Sequence, residues 1–205
     1  MTKKEEWLAG TRSAVPIMLG YVPVGIAYGV MARQAGLNTW QTVLMSLTVY
    51  GGASEMMAAG MVAQGAAVLT IVLTTFILNL RHIIMSTCVF NQMQGGRLPV
   101  RMLAAFGVTD ETFAVYTTTA NAPRTPRYFF SMALCSYLSW ALGSWLGAIA
   151  TGLLPPLITA ALGISLYAMF IGLRAPGDLG YCFKGQRHGD AGRGPAQVCI
   201  QPRVC

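Results

Sequence analysis

At 205 residues the chain is long enough for one or two soluble domains. However, 54% of it is hydrophobic and only 10% charged, against about 25% charged in globular domains. So few charges cannot cover a water-facing surface. The net charge of +7 does not point to nucleic acid, because the basic residues fall in short segments between apolar runs, where the positive-inside rule places them.

A membrane span takes about 20 mostly apolar residues. Windows at roughly 14–32, 66–90, 128–150 and 157–173 reach or approach that length. Two more, 42–63 and 103–119, are apolar but carry acids and glycine-rich breaks. The expected fold is all-α: a polytopic membrane helical bundle with broken or re-entrant helices. The start, "MTKKEEWLAGTRSAVP", lacks the apolar core and small-residue cleavage site of a removable signal peptide.

In chain order, the first window, "AVPIMLGYVPVGIAYGVMA", carries Pro16, Gly20, Pro23, Gly25 and Gly29. Gly25 and Gly29 form a small-xxx-small pair suited to close helix packing. The same residues also permit a backbone break lining a substrate site, which lipid tolerates only beside protein or a water-filled cavity. The second window, "TVLMSLTVYGGASEMMAAGMVA", is interrupted at Gly51-Gly52, with Glu55 three residues on. A carboxylate at mid-membrane depth costs roughly 2.5–3.5 kcal/mol on insertion scales and is a functional candidate by default. Its structural alternative is an ion pair or a hydrogen-bonded acid.

In the third window Thr75, Asn79, His82 and Ser86 share one helical face. That stripe should face other helices or an aqueous cavity. Arg81 points about 100° away from His82 and needs its own partner, for which Glu55, Asp110 and Glu111 are the acids within the apolar part. The alternatives are a structural histidine and a snorkelling arginine. The segment "LAAFGVTDETFAVYTTT" places Asp110 where a helix N-cap would stand, or at the head of a half-helix beginning inside the membrane.

Charge favours a topology in which 42–63 and 103–119 dip in and return on their own side. Lys3, Lys4, Arg12, Arg97, Arg101, Arg124 and Arg127 then share the cytoplasmic side with the N-terminus, leaving Arg33 outside. Trp40, Tyr128 and Trp145 are expected at the membrane interfaces. Beyond Leu173 the periodicity stops in a Gly-, Arg-, Pro- and Cys-rich stretch. Residues 1–173 thus read as the transport domain, and 174–205 as a disordered, aberrant or genuine cytoplasmic tail. Cys88 and Cys135 read as small residues within apolar spans. The five cysteines have no metal-ligand spacing, and neither a metal nor a cofactor is expected.

"GYVPVGIAYGVMARQAGL", "SLTVYGGASEMMAAGMVAQGA", "LTTFILNLRHIIMS" and "GVTDETFAV" together resemble the AzlC type of branched-chain amino acid permease over residues 1–173. The resemblance implies the larger subunit of a two-component exporter of valine and other apolar amino acids. It also implies a bacterial inner-membrane location and a small AzlD-type partner. Where Glu55 stands the family leads one to expect glutamine, and further hydrophobic sequence where the polar tail lies.

A zwitterionic substrate needs donors for its carboxylate, an acceptor for its ammonium and an apolar pocket. Backbone N–H groups around Gly51-Gly52 and Val108-Thr109 offer the donors. Glu55 or Asp110 offers the acceptor, and nearby Met, Val and Phe the apolar wall. Tyr21, Pro23, Gly25, Tyr50, Ser54, Asn79 and Thr109 complete the candidate substrate site. Arg81, His82 and Glu111 are candidates for ion pairing or proton coupling. A non-transporting subunit or a channel is the rival. An intramembrane hydrolase is disfavoured, because HExxH and GxSxG motifs are absent and only one histidine precedes the tail.

Overall fold

The computed structural model describes residues 2–151 apart from 97, 120 and 121. Among them are seven helices: α1 (Lys3–Gln34), α2 (Thr39–Val49), α3 (Gly52–Ala63), α4 (Val68–Gln92), α5 (Leu98–Phe106), α6 (Asp110–Thr118) and α7 (Pro126–Ala150). By length and composition α1, α4 and α7 can cross a membrane. The 157–173 window and the tail lie outside the described residues.

Helices α1 and α7 run parallel and form the frame. Near one end Ser131 Oγ donates to Trp7 O at 3.0 Å, and near the other Gly29 meets Ser144 and Ala148. A Cβ on Gly29 would stand 2.3 Å from Ser144 O, and one on Gly147 2.2 Å from Ile26 O. Both obstructions are backbone, so only glycine lets the helices approach this closely. Gly25 packs the same way against Gly143. Pro16 and Pro23 sit inside a continuous α1, so the packing role holds for this window and the backbone break does not occur.

Two short helical hairpins enter from opposite faces. Call the face where α1 begins face I. The α4 C-terminus lies there: Gln94 N–H donates to Arg124 O at 2.6 Å, and Gly96 abuts Pro126 at the start of α7. With 25 residues and a rise of about 1.5 Å each, α4 therefore starts on face II. Helix α2 descends from face II, where Tyr28 Oη donates to Thr42 O at 3.3 Å. It reaches mid-depth at Tyr50, and α3 returns to the face from which α4 begins. Helix α5 rises from face I beside α4, with Ser86 Oγ donating to Ala105 O at 3.0 Å. Helix α6 returns to face I, where Arg124 Nη1 donates to Tyr116 O. Helices of 9–12 residues rise about 14–18 Å, half a hydrocarbon core.

Both segments are thus re-entrant. Lys3, Lys4, Arg101, Arg124 and Arg127 gather toward face I, and Arg33 lies toward face II; Arg97 lies outside the described residues. Of the expected interfacial aromatics, Trp40 and Trp145 are exposed. Tyr128 is instead buried and donates to Ser13 Oγ at 2.7 Å, because the frame's close approach covers it.

Candidate functional site

The hairpin tips meet at mid-depth. At the first, α2 ends on Tyr50 in the left-handed conformation, φ 45° and ψ 50°, which is uncommon for a bulky non-glycine residue. Gly51 follows, and α3 begins without a side-chain cap. Its first N–H groups therefore have no side-chain cap among the described residues. At the second, Thr109 caps α6 by accepting from Thr112 N–H at 3.3 Å. Asp110 is the first helical residue rather than the cap, one position later than its sequence suggested, because the threonine pair Thr109 and Thr112 closes a capping box.

These two helix N-termini, with their positive dipole ends, border one cavity of about 60 Å³. Its lining includes Tyr21, Tyr50, Gly51, Gly52, Ala53, Arg81, His82, Thr109, Asp110, Glu111 and Trp140. Arg81 Nη2 lies 2.8 Å from Asp110 Oδ2. Tyr21 Oη donates to Glu111 Oε2 at 2.6 Å and lies 2.8 Å from Thr109 Oγ1. Tyr50 Oη is buried beside the Tyr21 hydroxyl.

Glu55 stands one layer behind the cavity and is fully buried. Gly51 N–H donates to its Oε1 at 2.9 Å and Trp140 Nε1 to its Oε2 at 3.2 Å. Both oxygens are engaged within the fold, so the acid facing the cavity beside the ion pair is Glu111. Ser54 Oγ donates to Gly51 O at 2.8 Å and tightens the same turn. Pro23 and Gly25 do not line the cavity. Asn79 lies beside Gly51, its Oδ1 3.2 Å from where a Cβ there would stand, and faces a neighbouring groove.

On α4 the polar stripe turns inward: Asn79, His82 and Ser86 are half-buried while Ile77, Leu80, Ile83 and Ile84 are exposed. Trp140 was not legible as a site residue, since nothing local marks one tryptophan of α7 for burial against a tip. It stacks with Tyr28 and meets Tyr21 edge-on at 5.3 Å. The cavity wall is therefore aromatic, formed by Tyr21, Tyr50 and Trp140, rather than the Met, Val and Phe expected.

The described residues thus form an all-helical membrane bundle with a cavity between two re-entrant helix N-termini. The chain belongs to the AzlC family: the family model described as AzlC protein matches residues 16–154. It is 32% identical over 178 residues to an uncharacterized membrane protein of Archaeoglobus fulgidus, covering 86% of this chain and 78% of that protein. It is 30% identical to the inner membrane protein YgaZ of Escherichia coli, covering 80% and 70%. To the branched-chain amino acid transport protein AzlC of Bacillus subtilis it is 27% identical, covering 73% of this chain and 61% of that protein. No solved structure matches the chain.

Proposed function

We propose that this chain is the larger subunit of an inner-membrane exporter of branched-chain or other apolar amino acids, with proton-coupled transport and a small AzlD-type membrane partner. Face I, which gathers the described basic residues near the start of the chain, is the cytoplasmic side under the positive-inside rule. The observation that carries the reading is the meeting of an uncapped α3 N-terminus, an Arg81–Asp110 pair and Glu111 in one cavity. Substrate carboxylate sits on the N–H groups of Gly52 and Ala53 with Arg81 nearby, and substrate ammonium on Glu111. These are the complementary charges that a zwitterion needs, held at mid-depth as in transporters with broken helices. His82, which also lines the cavity, is the candidate proton carrier. Family membership and the name of the Bacillus subtilis relative support the substrate class.

The test is efflux of labelled valine from cells loaded with a valine-containing dipeptide, with and without this gene, expressed beside a small AzlD-type subunit. Faster efflux with the gene is expected, lost in Glu111→Gln with accumulation unchanged. Equal efflux with and without the gene overturns the reading.

A further inference from the structure

The polar cavity is too small for the substrate assigned to it. At about 60 Å³ it falls well below the ~150 Å³ that accommodates a benzene ring. It can take the amino and carboxylate groups of an amino acid but not a branched side chain as well. Beside it, between α4 and α5, runs an open groove of about 460 Å³. The two spaces share two lining residues, Tyr50 and His82.

The groove is more apolar than the cavity, although Asn79, His82, Ser86 and Thr87 line it too. Ile83 of α4, Met102, Ala105 and Phe106 of α5, and Val49 and Val108 at the two tips give it an apolar wall. It extends from mid-depth toward face I, on which α4 ends and α5 begins. The divider is a single buried aromatic side chain. Tyr50 is 6% exposed, and its hydroxyl lies beside that of Tyr21. Its ring rests edge-on against Tyr137 at 4.8 Å. Its backbone occupies a left-handed conformation at the junction of α2 and α3, where a change of one residue's dihedrals re-aims the side chain.

We infer that the cavity and the groove form one bipartite amino-acid site, with the zwitterionic head in the cavity and the aliphatic side chain past Tyr50 in the α4/α5 groove. Specificity for the side chain is then set by Met102 and Ala105, which touch neither charged end of the substrate. The head is read by helix termini and Glu111, and the side chain by groove volume. The inference rests on the amino-acid transport reading and goes further by assigning side-chain selection to α5.

The experiment is a competition efflux assay with alanine, valine and leucine on the full chain with its partner subunit. Ala105→Leu narrows the groove and should lower the valine-to-alanine and leucine-to-alanine rate ratios by about tenfold or more, the range that one or two methylenes command in an apolar pocket. Met102→Ala, at a position 62% exposed and so tolerant in folding, should shift the ratios the other way, toward leucine. Ser131→Ala, on the frame near face I, should leave the ratios unchanged. If Ala105→Leu does not accumulate, Met102→Ala alone decides. Ratios that stay constant while all rates fall together overturn the bipartite site. If the unmodified chain moves none of the three amino acids, the transport reading itself fails.

Discussion

The two re-entrant hairpins carry one pattern and hold it in two ways. Tyr50-Gly51, Ser54 and Glu55 of the first correspond to Phe106-Gly107, Asp110 and Glu111 of the second at a constant offset of 56 residues. Each hairpin follows a long helix, α1 or α4, and those helices run in opposite directions. Units α1–α3 and α4–α6 therefore follow one order of elements in opposite directions across the bundle, the arrangement that inverted repeats give in transporters. In the first unit the glutamate is buried against its own backbone and Trp140, and the helix N-terminus is left uncapped. In the second, Thr109 caps the helix, and both acids line the cavity.

The difference divides the labour at the site. The first hairpin contributes bare N–H donors and spends its carboxylate on holding the tip in shape. The second satisfies its own backbone and contributes charge. Glu55, the fourth residue of α3, is thus engaged within the fold, while Glu111, the second residue of α6, faces the cavity. The resemblance-based expectation of glutamine at position 55 fits this assignment, since an amide can also accept hydrogen bonds at a tip.

The largest expected effect tests the structural half. Glu55→Ala leaves two buried donors, Gly51 N–H and Trp140 Nε1, without acceptors. At about 1–3 kcal/mol each, the loss should prevent accumulation or lower the melting temperature sharply in detergent. Glu55→Gln keeps one acceptor oxygen and removes a buried charge, so it should accumulate and still transport. Normal melting of Glu55→Ala would show that the tip does not depend on this carboxylate.

Next in size is the Arg81–Asp110 pair, whose side chains are 47% and 23% exposed. Both charges line the mid-depth cavity, so removing either leaves the other without its partner. Arg81→Leu and Asp110→Leu should each cut valine efflux, and the double variant should be no less stable than either single one. Additive losses of stability would mean that the two residues do not act as a pair.

A smaller effect addresses the capped hairpin. Thr109→Val removes the oxygen that accepts from Thr112 N–H, a loss of about 1 kcal/mol. It should lower thermal stability modestly. Ala53→Thr, in the first turn of the uncapped α3, should do little for stability but obstruct the N–H groups assigned to the substrate carboxylate. Comparable efflux in the two variants would erase the distinction between the hairpins.

Much of this arrangement was readable in the chain. The apolar runs gave the spanning helices, and the break at Gly51-Gly52 with the half-helix start near Asp110 gave the hairpins. Arginine placement gave their return to their own faces, and the 4-3-4 spacing of Thr75, Asn79, His82 and Ser86 gave the inward stripe. Partners across the bundle were not readable. Glu55 and Glu111 look alike locally, and only the approach of Trp140 to one and Tyr21 to the other separates their roles. Nor does the run of α1 reveal that its prolines leave the helix continuous, because the packing of α7 against it decides that.

The smallest effect isolates the charge left for a ligand. Tyr21 Oη donates to Glu111 Oε2 at 2.6 Å, so the hydroxyl occupies one of the carboxylate's acceptor positions. An incoming ammonium must share the carboxylate with it. Tyr21→Phe keeps the ring against Trp140 and removes only the hydroxyl. The lost hydrogen bond is worth about 0.5–1.5 kcal/mol, so the variant should fold with slightly reduced stability. Its effect on transport should be opposite in sign: with the competing donor gone, Glu111 accepts the ammonium more strongly, and the concentration of valine at half-maximal efflux should fall. Ser131→Ala serves as a control, since its hydroxyl lies on the frame near face I and should leave that concentration unchanged. A rise in the half-maximal concentration in Tyr21→Phe would mean that the tyrosine hydroxyl binds substrate itself, and the ammonium site would move from Glu111 to the Tyr21–Thr109 pair.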